Sequence, residues 1–125
     1  MPELVYPELS YKIIGIMYVV YNQLGGGYQE KYYQEAVKRE FKKSGLGFLE
    51  QVRMELLYDG NSLGRYYIDF VVEHKIVLEL KVSPKFYQKD VMQVLGYLKQ
   101  SGLKLGILVG MNRNGIIFKR ILRGN

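Results

Sequence analysis

Two neighbouring apolar segments, separated by three polar residues, constrain the fold of this chain more than any other feature. The segments Leu63–Val72 and Ile76–Val82 are rich in β-branched and aromatic residues, which is typical of strands. If residues 73–75 form the loop of an antiparallel hairpin, the last residue of the first strand faces the first residue of the second. Counting back from the loop, Asp69 then lies directly opposite Glu79.

This register would bring two carboxylates together. Side chains alternate along a strand, so Asp69, Glu79 and Lys81 would share one face of the sheet. Two carboxylates that face each other across a strand pair repel. A divalent cation between them would remove the repulsion, and carboxylate oxygens are the ligands that Mg²⁺ and Mn²⁺ prefer. The pattern therefore predicts a metal site at Asp69 and Glu79.

The spacing alone leaves two alternatives open. Residues 73–75 contain neither the Gly nor the Asn that is usual at the left-handed position of a three-residue loop. A two-residue loop would send Asp69 and Glu79 to opposite faces of the sheet. In addition, Asp69, Glu79 and Lys81 could be ordinary charges on a solvated strand face.

The composition restricts the chemistry of such a site. The chain contains no Cys, which excludes a disulfide, a thiol nucleophile and Cys-bound zinc, and its single His, His74, excludes a multi-His metal site. The 18 Lys and Arg residues against 12 Asp and Glu residues give a net charge of +6, which favours a polyanionic partner such as nucleic acid. We expect one domain over residues 1–125, no membrane segment and, by default, a cytoplasmic location.

Apolar periodicity and turn residues predict eight elements in the order ααβββαββ. Helical spacing predicts a first helix over Leu9–Leu24 with Ser10 as its N-cap, and three glycines at 25–27 interrupt it. The remaining predicted elements are a helix over about Tyr28–Lys43, strands Gly47–Leu57, Leu63–Val72 and Ile76–Val82, a helix over about Phe86–Gln100, and strands Leu103–Val109 and Ile116–Leu122.

Three polar residues on the predicted helices have two interpretations each. Glu30 lies near the inward-facing stripe of the second helix, where a carboxylate is costly unless it is paired or metal-bound. Alternatively, Glu30 is a first-turn acid favoured by the helix dipole. Gln93 and Tyr97 are four residues apart and share one face of the last helix. They are either a functional pair or a solvent-facing Gln beside a partly packed Tyr. The residues alone favour the second interpretation in each case.

Taken together, these segments resemble a known family. Asp69 on the second strand and Glu79-Leu80-Lys81 on the third carry the signature of the PD-(D/E)xK nuclease superfamily. More closely, the chain is similar over roughly Leu9 to Leu122 to the small bacterial and archaeal GxxExxY proteins. Their name motif corresponds here to Gly27-Tyr28-Gln29-Glu30-Lys31-Tyr32-Tyr33. One departure is Tyr21, where relatives commonly carry a His. This difference would affect the rate of cleavage or the metal preference rather than the class of protein.

The resemblance implies an α/β, restriction-endonuclease-like fold, with an αβββαβ core and a central mixed sheet flanked by helices. It implies an Mg²⁺- or Mn²⁺-dependent nuclease that hydrolyses DNA phosphodiester bonds. The implied metal ligands are Asp69, Glu79, the carbonyl of Leu80 and Glu30, and the further catalytic residues are Lys81 and Gln93. The candidate nucleic-acid contacts are Tyr97, Arg65, Lys85, Lys89 and Lys99, although each basic residue is alternatively a solubilising surface charge.

Two other classes of function remain alternatives. A catalytically inactive module on the same fold would bind nucleic acid or protein, because fold does not fix function. A scaffold protein with an incidental basic face is the third hypothesis. In the nuclease hypothesis, the small size of the chain leaves little room for a specificity domain, so a homodimer or a partner protein would supply substrate choice.

Overall fold

The computed structural model describes residues 5–124, which form three helices and five strands in the predicted order ααβββαββ. The elements are α1 (Pro7–Leu24), α2 (Glu30–Lys43), β1 (Phe48–Tyr58), β2 (Asn61–Val72), β3 (Ile76–Lys81), α3 (Gln88–Ser101), β4 (Leu105–Asn112) and β5 (Gly115–Leu122). None of the helices in this described part of the chain is long and apolar enough to cross a bilayer.

The five strands form one mixed sheet in the order β1-β2-β3-β4-β5. Strands β3 and β4 run parallel, and the other three pairs are antiparallel. A parallel pair needs a long crossover, which α3 provides. The α/β fold with a central mixed sheet flanked by helices is confirmed.

Two apolar clusters cover the two faces of the sheet. Helices α1 and α2 pack on one face, and α3 packs on the other. The sequences of β3 (IVLELK) and β4 (LGILVGMN) are therefore almost continuously apolar, as expected for strands that are buried on both faces. Glu79 is the exception: it is a carboxylate in the middle of a doubly covered strand.

The hairpin between β2 and β3 has the predicted three-residue loop. Val72 pairs with Ile76, so the two-residue alternative is wrong. Glu73 and His74 both adopt left-handed backbone conformations, with φ of 53° and 54°, although neither is Gly or Asn. The Glu73 carboxylate also accepts a hydrogen bond from the N–H of Gly47 (3.2 Å), which ties this loop to the segment before β1.

The start of α1 differs from the prediction. The helix begins at Pro7, whose fixed φ suits the first helical position, and Tyr6 precedes it in a left-handed conformation (φ 48°). Ser10 is therefore not an N-cap. It lies buried inside the first turns of the helix, and its hydroxyl has no hydrogen-bond partner among the described residues.

Candidate functional site

The candidate site lies where β2 and β3 separate. Their backbone pairing ends at Phe70 and Leu78. Beyond that pair, side-chain oxygens take the place of backbone carbonyls. Glu79 Oε1 accepts a hydrogen bond from the N–H of Asp69 (2.6 Å), and Asp69 Oδ2 accepts one from the N–H of Leu80 (2.7 Å). The two carboxylates are thereby held next to each other, in an orientation set by the backbone of both strands.

Both carboxylates are almost fully buried, with exposed fractions of 5% for Asp69 and 3% for Glu79. Burial, supported by the charge of Glu30, raises the pKa of Asp69 to about 6, although the N–H of Leu80 opposes the shift. Burial and then the negative charge of Asp69 raise the pKa of Glu79 to about 8. At neutral pH the pair therefore retains a proton unless a cation takes its place.

Lys81 supplies a positive charge beside this pair. Its Nζ lies 3.6 Å from Glu79 Oε2 and 3.7 Å from Asp90 Oδ1. Partial burial lowers the pKa of Lys81, but the negative charges of Glu79, Glu30 and Asp90 outweigh it and raise the pKa above its ordinary value. Lys81 is therefore a cation across the physiological range, suited to electrostatic stabilisation rather than to removing a proton.

Asp90 is a member of the cluster that sequence reasoning missed. It lies in the first turn of α3, where its carboxylate accepts a hydrogen bond from the N–H of Tyr87 (2.9 Å). Its other oxygen faces Lys81, and the side chain is buried. A first-turn Asp is typical of many helices, so the sequence carries no signal that distinguishes this one.

Helix α2 brings Glu30 and Gln34 to the site. Gln34 Nε2 donates to Glu30 Oε1 (3.1 Å) and to Asp69 Oδ1 (2.8 Å), so one amide joins the helix to β2. Burial raises the pKa of Glu30, although the charge of Lys81 opposes the shift. Sequence reasoning missed Gln34 as well. Its spacing of four residues from Glu30 was the available signal.

The segment between α1 and α2 sets the position of Glu30. Tyr33 is buried in α2, and its hydroxyl donates to the carbonyl of Gly25 (2.6 Å) while accepting from the N–H of Tyr28 (3.3 Å). Gly27 has φ of 102°, which favours glycine. The spacing of Gly27, Glu30 and Tyr33 thus has a structural basis: a tight turn, an acid on the first turn of α2 and an anchor one turn later.

A second set of contacts holds this segment against β4. A Cβ on Gly26 would overlap the backbone of Asn112, so only glycine fits at this position. The hydroxyl of Tyr21 donates to the carbonyl of Asn112 (2.5 Å). Tyr21 therefore joins the end of α1 to the end of β4.

Among the described residues, no hydrogen bond or ion pair joins the other predicted site residues to Asp69, Glu79 or Lys81. They lie on α3, on the β1–β2 hairpin or on the segment before α3. Gln93, Lys89 and Lys99 line a groove between α3 and the β1–β2 hairpin, whereas Tyr97 packs against the core beneath α3. Burial raises the pKa of the Tyr97 phenol. The two remaining basic residues are exposed: Arg65 is opposite Glu55 on the hairpin, and Lys85 Nζ is 5.4 Å from the ring centroid of Tyr87.

The donor set suits a hard divalent cation. Within residues 5–124, no group of three or more His, Asp or Glu side chains is placed to hold a metal ion, so the available donors come from a pair of carboxylates and a backbone carbonyl. Asp69 and Glu79 provide two carboxylates, and the Leu80 carbonyl points into the same gap because the N–H and C=O of one strand residue face the same side. Mg²⁺ commonly takes one or two carboxylates and completes its shell with waters and substrate phosphates. A Zn²⁺ site would instead require His or Cys ligands.

A family model and two solved proteins are similar to this chain. A family model described as the PD-(D/E)XK nuclease superfamily matches residues 7–121. The crystal structure of SSO0001 is similar in fold, with a TM-score of 0.57 and 20% identity, over 76% of this chain and 50% of that protein. An alkaline exonuclease (LHK-Exo) from Laribacter hongkongensis matches with a TM-score of 0.48 and 15% identity, over 70% of this chain and 52% of its own. The chain thus spans about half the length of these two solved proteins. Among curated proteins, none matches.

Proposed function

This chain belongs to the PD-(D/E)XK nuclease superfamily, and from that membership we propose that it is a metal-dependent nuclease that hydrolyses DNA phosphodiester bonds. The observation that carries the proposal is the pair of buried carboxylates, Asp69 and Glu79, with the Lys81 amine 3.6 Å from Glu79. Two such groups destabilise a fold unless a proton or a cation neutralises them. A site that binds a cation during function explains why the chain carries them.

In this proposal, Asp69, Glu79 and the carbonyl of Leu80 would hold one or two Mg²⁺ or Mn²⁺ ions, and Glu30 would complete the acidic cluster through a water or a second metal. A divalent ion bound there would polarise the scissile phosphate and lower the pKa of a water molecule. Lys81 orients the attacking water or stabilises the charge that develops on the phosphate oxygens. These roles match the chemistry of each side chain and its position around the gap between β2 and β3.

Gln34 and Asp90 contact the proposed catalytic residues and hold them in position. Gln34 donates to both Glu30 and Asp69, which holds the two carboxylates at a constant separation. Asp90 lies 3.7 Å from Lys81 and keeps the amine over the cluster from the α3 side. Both are positioning residues in the proposal.

Within the superfamily, we propose membership of the GxxExxY group. The support is the agreement of Gly27, Glu30 and Tyr33 with the name motif and the distinct structural part that each plays between α1 and α2. DNA as the substrate is supported by the net charge of +6. The catalytic cluster comes from α2, β2, β3 and α3 of one chain, so a second subunit or a partner protein would supply substrate choice rather than a missing ligand.

The test compares wild type with Asp69→Asn. Labelled single-stranded and duplex DNA would be incubated with each protein in Mg²⁺, in Mn²⁺ and in EDTA, and calorimetry would measure binding of both metals. We expect metal-dependent cleavage and saturable metal binding by wild type, and a loss of cleavage of at least about 10³-fold in the variant. Glu35→Gln, an exposed i,i+4 ion-pair partner of Arg39, is the matched control and should cleave like wild type.

Two results would contradict the proposal in different ways. Cleavage by Asp69→Asn at the wild-type rate would show that the site is elsewhere. DNA binding without cleavage in any metal would favour the catalytically inactive module instead.

A further inference from the structure

A groove of about 610 Å³ lies between α3 and the β1–β2 hairpin, away from the carboxylate gap. One wall is formed by residues of the hairpin, including Met54 and Tyr66. The other wall is the outer surface of α3, which contributes Lys89, Met92 and Lys99. We refer to this region as the hairpin groove.

The hairpin groove is positively charged. Lys89, Lys99 and Arg123 line it, and none of the described residues in its lining is acidic. Lys89 and Lys99 are ten residues apart on one helix, which separates them by about 15 Å along the helix axis. A row of cations of this length is complementary to a chain of several phosphates rather than to one small anion.

Two apolar side chains in the walls of the groove are accessible. Tyr66 is 39% exposed and Met92 is 57% exposed, and both line the groove. A Cβ on Gly96 would lie 3.3 Å from Cε of Met54, so the glycine lets α3 approach the hairpin closely at this turn. Gly in a helix interior costs about 1 kcal/mol relative to Ala, so the presence of Gly96 beside Met54 has a packing cause.

A row of cations beside exposed apolar side chains is better suited to one form of nucleic acid than to another. Aromatic and thioether side chains beside a row of cations suit unstacked bases, whose faces can pack on the ring while the phosphates reach the cations. The bases of a duplex are stacked inside it, so the phosphates of a duplex could reach the cations but its bases could not pack on Tyr66 and Met92. The surface therefore fits a single strand better than a double helix.

The groove leads towards the proposed active site. Lys89 lies beside Asp90 in the chain, and Asp90 forms an ion pair with Lys81. Gln93 lines the groove three residues later, about one turn along the same face of α3. A strand lying along α3 would thus run from the hairpin groove to the carboxylate gap.

We propose that the hairpin groove binds a single-stranded segment of nucleic acid. Phosphates lie against Lys89, Lys99 and Arg123, and bases pack on Tyr66 and Met92. This inference rests on the proposed function, because it names the form of the substrate that reaches the same site.

The test measures binding without cleavage. Fluorescence anisotropy in EDTA would compare a labelled single-stranded oligo(dT) with a duplex of equal length. The groove variant carries Lys89→Gln, Lys99→Gln and Arg123→Gln together. The control variant carries the same loss of charge at exposed positions outside the groove, Lys12→Gln, Lys42→Gln and Lys119→Gln. Circular dichroism would check that both variants remain folded.

We expect the groove variant to bind the single strand at least about 10-fold more weakly, and its plot of log K against log salt to be less steep by about 2. The control variant should change affinity by less than about 3-fold, because its cations do not touch the strand. Tyr66→Ser should weaken binding by about 5-fold or more while leaving the salt dependence unchanged, since stacking involves no counterion.

Three results would overturn the groove assignment: equal losses in the two triple variants, tighter binding to the duplex, or a dimer in sedimentation that Tyr66→Ser dissociates without affecting DNA binding. The last result would make the groove an interface between copies of this chain. Binding in EDTA needs no catalysis, so a failure here leaves the nuclease proposal intact. Conversely, groove-dependent binding by a protein that never cleaves would overturn the nuclease proposal alone.

Discussion

Replacing Glu79 with Gln should stabilise the metal-free protein at alkaline pH while removing its capacity to bind a divalent cation. Glu79 is 3% exposed, and its Oε1 accepts the N–H of Asp69, a bond that a Gln oxygen can also make. The substitution removes a buried negative charge beside Asp69 and keeps the shape of the side chain. A residue that harms the apo fold is expected at a site built for a ligand.

The sign and size of the effect follow from the raised pKa values. Folding raises the pKa of Glu79 from 4.5 to about 8 and that of Asp69 from 3.8 to about 6, so the folded protein binds more protons than the unfolded chain between these limits. Stability is therefore full below about pH 4 and is lost as the pH rises to about 8. A change of one in pKa corresponds to about 1.4 kcal/mol, so ionisation of Glu79 at high pH lowers the free energy of unfolding by at most roughly 5 kcal/mol.

This limit already includes two contacts that favour the ionised carboxylate, the Lys81 amine 3.6 Å from Glu79 and the N–H of Asp69. Relaxation of the site and entry of water at high pH reduce the cost of the buried charge further. We therefore expect Glu79→Gln to gain about 2–3 kcal/mol in free energy of unfolding at pH 9. The gain should shrink towards zero at pH 4.5, where the wild-type carboxyl is already protonated.

The assay is urea denaturation followed by far-ultraviolet circular dichroism, in EDTA, at pH 4.5, 7 and 9. Glu35→Gln makes the same chemical change at an exposed ion pair and should stay within about 0.5 kcal/mol of wild type at every pH. Adding Mg²⁺ at pH 8 should stabilise wild type but not Glu79→Gln, because only a protein that binds the ion gains from it. A variant that is less stable than wild type at pH 9, or equally shifted at all three pH values, would refute the argument from burial and repulsion.

Three further substitutions test other parts of the structure. Lys81→Ala should lower single-turnover cleavage by about 10²-fold without changing the melting temperature by more than a few degrees, and an unchanged rate would contradict its electrostatic role. Ser10→Ala should raise the free energy of unfolding by about 1 kcal/mol in urea denaturation, because the buried hydroxyl has no partner among the described residues; a loss would show that the hydroxyl is satisfied. Gly26→Ala should lower that free energy by about 2 kcal/mol, since its Cβ would overlap the backbone of Asn112, whereas an unchanged value would show that the turn can move aside.

Much of the fold could be predicted because its signals are local. The β-branched and aromatic residues of β2 and the apolar runs of β3 and β4 depend only on neighbouring residues, and such local signals gave the order of all eight elements. Turn chemistry was less informative. Residues 73–75 carry no glycine, so the sequence left two loop lengths open, and the left-handed backbone of Glu73 and His74 decided between them. Ser10 was misplaced because a polar residue near a helix start is an N-cap only if the helix begins there.

In the candidate site, too, some residues could be predicted from local sequence signals and others could not. Asp69, Glu79 and Lys81 lie within thirteen consecutive residues of one hairpin (69–81), so their proximity could be argued from register alone. Glu30 entered through resemblance to a motif. Gln34 and Asp90 resemble ordinary helix residues in the sequence, and only their contacts with Asp69 and Lys81 distinguish them.

By itself, the sequence determined which elements form, in what order, and which polar residues interrupt their apolar patterns, because periodicity and turn propensity act over a few residues. Only the tertiary structure decided that α2 and α3 bring Glu30, Gln34 and Asp90 to the point where β2 and β3 separate. It alone also decided that α3 and the hairpin enclose a basic groove. The contact between Gln34 and Asp69, for example, joins residues that are 35 positions apart along the chain. Such contacts depend on how helices pack across a completed sheet, which no local pattern encodes.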